Sequence, residues 1–124
     1  MEIVNSKFYD GFEGEPEVHF TTKTKEQIKR LIVWCGYFNE IMYLVEPVEG
    51  RWTSLAYYYH LLLGWRDIDV HEPWLVEKPQ EALEQFETID KALLETETAR
   101  VLEEICHLFI EGIESNAEIF IEED

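Results

Sequence analysis

The sequence predicts an α+β fold, with about four helices packed with a small antiparallel sheet from the N- and C-terminal segments. Three observations predict it. Apolar residues recur at intervals of three and four through most of the region from Ile28 to Ile113, the spacing of one helix face. The two ends alternate instead, at Glu17-Val-His-Phe-Thr21 and at Glu118-Ile-Phe-Ile-Glu122, which is the period of a strand. Pro47, Gly50, Pro73 and Pro79 cut the middle into helix-length pieces. An all-α bundle is the alternative. The chain has 124 residues, 46% of them hydrophobic and 14% aromatic. A single domain over residues 1–124 can therefore bury a real core without disulfide or metal support.

The elements follow in order. Glu2 to Tyr9 is strand-like, GFEGEP at 11–16 supplies a turn, and the Glu17–Thr21 alternation completes a loose hairpin. Thr24 and Gln27 have capping-box spacing. Behind them Ile28, Leu31, Ile32, Cys35, Phe38, Met42 and Val45 form one helix face, and Trp34, Tyr37, Ile41 and Leu44 a second stripe. A helix apolar on two sides belongs in the middle of its domain. The competing reading at Leu31–Trp34 is a strand, because the run is partly β-branched and Gly36 weakens a helix; length favours the helix. A second helix is expected from about Thr53 to Leu63, with Gly64 suited to its C-terminal cap. A third starts at Pro79, a residue favoured at the first helical position, with Ala82, Phe86, Ile89 and Leu93 inward. A fourth runs from about Thr98 to Ile113 through Val101, Leu102, Ile105, Cys106 and Phe109. Ser115-Asn116 ends it, and EIFIE is the closing strand.

Charge is the strongest pointer to function. The formal net charge is -17. Residues 1–66 hold 9 acids and 7 bases, while residues 67–124 hold 18 acids and 3 bases, Lys78, Lys91 and Arg100. Like charges repel along a helix by a few tenths of a kcal/mol, on the order of 0.2–0.5 per pair, so this excess does little for folding. A basic protein partner, steered by charge and held by buried aromatics, would explain it. Glu103, Glu111 and Glu114 fall opposite the core of the fourth helix and are the expected recognition acids. In the central loop, Asp67, Asp69 and Glu72 lie between Trp65 and Trp74. Tryptophan is enriched at interface hot spots, so these five residues join the expected partner-binding set.

The same patterns exclude other classes. Neutralising nucleic-acid phosphates requires clustered Lys and Arg, which the second half lacks, so no nucleic-acid binding is expected. No apolar run reaches the length of a membrane span. Asp67, Asp69, His71 and Glu72 lack the spacing of a calcium loop, and no Cys/His set has zinc spacing, so neither metal nor cofactor is expected. The four histidines are scattered, without HExxH, GxSxG or a phosphate-binding glycine loop. The run Tyr57-Tyr58-Tyr59 places at least one tyrosine at the surface, since neighbouring helical positions diverge by about 100°. Cys35 and Cys106 sit in apolar runs as free thiols. The opening MEIVNSKFYDG has no basic stretch leading into an apolar core, so no secretory signal is expected and the protein is placed in the cytoplasm.

In size and charge the chain resembles small acidic inhibitor or immunity proteins, which neutralise basic nuclease-type toxins, and also acidic DNA mimics. This resemblance is one of composition and covers no motif. It implies a non-enzymatic binding protein that masks a basic protein surface. The alternatives are a small metal-dependent enzyme using the 67–72 loop and a structural subunit of an assembly.

Overall fold

The computed structural model describes residues 2–62 and 73–123. The elements in chain order are β1 (Glu2–Phe8), β2 (Glu17–Lys23), β3 (Ile28–Trp34), α1 (Cys35–Tyr43), α2 (Ser54–Tyr57), β4 (Trp74–Leu75), α3 (Pro79–Glu87), α4 (Thr96–Glu114) and β5 (Glu118–Glu123). A π-type turn over Tyr58–Leu62 continues α2, and a 3-10 turn over Lys91–Leu93 precedes α4. The strands form one sheet in the order β1-β3-β2-β5-β4. Each pair is antiparallel except β1 with β3. The fold is α+β.

The helices pack on one sheet face. Phe20 of the central strand β2 is fully buried. Its ring meets Phe38 of α1 at 5.6 Å and Phe109 of α4 at 6.2 Å, and Phe86 of α3 reaches Phe109 at 5.7 Å. These edge-on contacts join the sheet to three helices, and burying each such side chain contributes about 1.5–3 kcal/mol. Val101, Leu102, Ile105, Phe109 and Gly112 are the buried stripe of α4. At Gly112 a Cβ would lie 3.0 Å from Ile119 Cδ1 and 3.2 Å from Thr22 Cγ2, so glycine lets the helix approach β2 and β5 closely. The opposite sheet face carries a cross-strand row, Val4–Arg30–Thr21–Phe120–Leu75. Thr21 in its middle is only 3% exposed.

The structure corrects the sequence reading in four places. First, Ile28–Trp34 is a strand, not the front half of a helix. Ile28, Ile32 and Val33 are β-branched, and once β3 pairs along its whole length with β2, packing across the strands outweighs a helical spacing that fits the same residues. Thr24 Oγ1 does accept the Gln27 N–H at 3.1 Å, but in the β2–β3 turn, where Thr24 N–H also bonds the Gln27 carbonyl at 2.9 Å. Second, the expected hairpin of Glu2–Tyr9 with Glu17–Thr21 does not form, because β3 inserts between β1 and β2. Third, the sheet is mixed rather than purely antiparallel. Fourth, α3 ends at Glu87, and Leu93, expected inward, is 67% exposed. Asp90 redirects the chain there, its Oδ1 accepting the Ala92 N–H at 3.0 Å.

Of the other elements, α2 begins at Ser54, next to the expected Thr53, while its expected end Leu63 and cap Gly64 lie outside the described residues. Pro79 is at the start of α3, and α4 begins at Thr96, two residues before the expected Thr98. Asn116 takes a left-handed φ of 56° after α4, and Ala117 N–H closes on the Gly112 carbonyl at 2.8 Å. Among the described residues, no helix is long and apolar enough to cross a membrane.

Candidate functional site

The acids of α4 face solvent as their spacing requires, with Glu103, Glu111 and Glu114 all exposed. Two of the three are already occupied. Lys29 of β3 reaches Glu111 at 2.5 Å, and Lys91 lies 3.6 Å from Glu103. Lys7 stands 3.9 Å from Glu104, and Arg100 is 4.0 Å from Glu97 on the same helix. Each pair is surface-exposed and contributes about 0–1 kcal/mol. Together they put a base beside four acids of this helix, Glu97, Glu103, Glu104 and Glu111. Glu77, Glu81, Glu84 and Glu87, on and just before α3, make no ion pair among the described residues.

Two of those acids, Glu77 and Glu81, line a cleft of about 470 Å³ together with Trp52, Thr53, Ser54, Tyr57, Trp74 and Lys78. Three stretches of chain build it. Trp52 and Thr53 lead into α2, Ser54 and Tyr57 belong to it, and Trp74 comes from β4. Glu77, Lys78 and Glu81 come from the entry to α3. Gln85 of α3 fastens two of the stretches, its Nε2 donating to the carbonyl and to Oγ1 of Thr53, both at 3.0 Å. Each indole rests on an aromatic ring. Trp74 stacks on Tyr58 with centroids 5.1 Å apart and planes 25° off parallel. Trp52 stacks on His60 at 3.8 Å and 19°. Tyr57 is 41% exposed, fulfilling the expectation for the tyrosine run. Tyr58 is buried, and Tyr59 donates its hydroxyl to Asn39 Oδ1 at 2.8 Å.

Burial pushes the His60 imidazole below its usual range, so it is neutral at pH 7. Burial also pushes the Tyr58 phenol well up, and the carboxylates of Glu123 and Glu122 push it the same way. Among the described residues, the buried atoms Ser54 Oγ, Tyr58 Oη and His60 Nε2 have no hydrogen-bond partner. Ser54 and His60 therefore do not bond to each other as a nucleophile–base pair would. Among the described residues, no three His, Cys, Asp or Glu side chains are grouped to hold a metal ion.

A second cleft, of about 610 Å³, opens beside Thr22, Thr24, Lys29, Glu111 and Ser115. Its lysine and Glu111 are joined to each other.

Of the expected partner-binding residues, Trp65, Asp67, Asp69 and Glu72 lie outside the described residues. Trp74 is in the cleft, and Glu103, Glu111 and Glu114 are not among its lining. Trp52, Tyr57, Glu77 and Glu81 join Trp74 there instead. Their signal in the sequence was slight, since Trp52 sits in an irregular stretch and the two glutamates are a few among many acids. No protein-family model matches the chain, and no curated protein or solved structure is detectably similar to it.

Proposed function

We propose that this chain is a non-enzymatic binding protein that masks a basic surface on another protein, as an inhibitor or immunity protein against a toxin or nuclease does. The observation that carries this reading is the pair of carboxylates Glu77 and Glu81, which line an aromatic cleft and make no ion pair among the described residues, with Glu84 and Glu87 further along α3. Unpaired acids of one sign raise the local concentration of a cationic partner. Half-buried aromatics then supply the apolar area that slows dissociation. The acidic surface repels nucleic acid, so the partner is a protein. Both cysteines are free, in keeping with a reducing, cytoplasmic setting.

The test is capture of partners on the immobilised chain, followed by association kinetics with the identified basic partner across ionic strength. The on-rate should fall as salt rises. Replacing Glu77, Glu84 and Glu87 together by Gln should slow association more than replacing Glu103, Glu111 and Glu114. A partner indifferent to salt and to both sets would defeat the reading.

A further inference from the structure

We infer that the cleft between Trp52, Tyr57 and Trp74 is a receptor for one arginine side chain of the partner. This assignment rests on the proposed binding function and names the group that the cleft takes. Two properties of the cleft point to a guanidinium.

The first is the aromatic lining. Trp52 and Trp74 each give a ring to a neighbour, His60 and Tyr58, which fixes them in place while both still line the cleft with Tyr57. Indole faces attract cations, and the planar guanidinium stacks on them as well. The second is charge. Glu77 and Glu81 line the cleft against the single base Lys78, and neither glutamate has an ion-pair partner among the described residues. Carboxylates beside aromatic faces suit a fork of N–H donors better than a compact ammonium.

Neutral, acidic and lysine ligands are the competing occupants, and the experiment separates them. The full chain is titrated with the blocked tripeptide Gly-Arg-Gly, following the indole N–H resonances of Trp52 and Trp74. The controls replace Arg by citrulline, Lys or Glu. The arginine peptide should bind about ten-fold more tightly than the citrulline peptide, the change expected for losing a cation at an aromatic and carboxylate site. The double variant Glu77→Gln with Glu81→Gln should abolish that preference while its melting temperature stays close to that of the parent. Lys78→Gln should strengthen arginine binding by removing the like charge. Equal binding of the arginine and citrulline peptides, equal or tighter binding of the lysine or glutamate peptide, or no shift at either indole overturns the assignment. The wider reading fails separately, through the salt dependence of association with the whole partner. A partner still steered by salt, with no arginine preference at the cleft, would sink this inference and leave the acidic binding function standing.

Discussion

Glu40 of α1 caps the start of α4 from 55 residues away. Its Oε1 accepts the backbone N–H of Glu95 at 3.2 Å, and its Oε2 accepts the hydroxyl of Thr98 at 2.6 Å. The first N–H groups of a helix have no intrahelical partner and carry a partial positive charge, so a carboxylate there is favourable twice over. Thr98 is fully buried, and Glu40 is what satisfies its hydroxyl.

Glu40→Ala should therefore destabilise the protein by about 1–3 kcal/mol, the cost of leaving a buried polar group unpaired. Glu40→Gln keeps one acceptor and should cost less. Urea unfolding of Glu40→Ala, Thr98→Val and the double variant would measure the coupling. Strictly additive effects would contradict the pairing.

Trp74 is both part of the cleft and part of the fold. Its indole covers Tyr58 and packs against the core while remaining half-buried. Trp74→Ala should cost about 1–3 kcal/mol, below the 3–5 of a fully buried tryptophan. Trp74→Phe should keep most of the stability. A melting curve for Trp74→Ala that overlays the parent would show the stack to be energetically idle.

Gly36 sits in the first turn of α1, where alanine would ordinarily improve the helix by about 1 kcal/mol. Here a Cβ would run into the indole ring of Trp34. That ring cannot yield freely, since Phe12 stacks on it at 4.1 Å and Tyr37 meets its edge at 5.2 Å. Gly36→Ala should thus lower stability by about 1–3 kcal/mol through overpacking. Thermal unfolding measures the sign, and a higher melting temperature would refute the argument.

Burial pushes the Cys106 thiol up to about 11, with Lys91 nearby acting the other way. The thiolate is the reactive form, so native Cys106 should react with iodoacetamide at pH 8 on the order of 100-fold more slowly than in the unfolded chain. The sign for stability follows. The unfolded thiol ionises near its ordinary value while the folded one keeps its proton, so stability falls as pH rises from the unfolded pKa towards about 11. Mass spectrometry after timed labelling reads the rate. Equal rates in native and unfolded protein would contradict the burial.

The sequence was legible wherever one local signal dominated. Pro79 marks the start of α3, the Val101–Phe109 stripe marks the buried face of α4, and the 118–122 alternation marks β5. It misled at Ile28–Trp34, where the same apolar residues fit a helical stripe and a buried strand equally well, and only pairing with β2 separates the two. The candidate site was legible in kind and not in place. Trp74 stood out for its size, but its companions Trp52, Tyr57, Glu77 and Glu81 are separated in sequence and meet only when α2, β4 and α3 pack together.

By itself the sequence determined the α+β class, a core rich in aromatics and an acid excess concentrated after residue 66, because composition and local periodicity are properties of the chain. The tertiary structure decided which charges remain unpaired. Lys29 and Lys7 lie far from α4 in sequence, yet the β3 and β1 strands carry them to Glu111 and Glu104. No comparable base reaches the carboxylates of Glu77, Glu81, Glu84 and Glu87 among the described residues. Ion pairing depends on distance in space and screening by solvent, and the order of residues along the chain fixes neither.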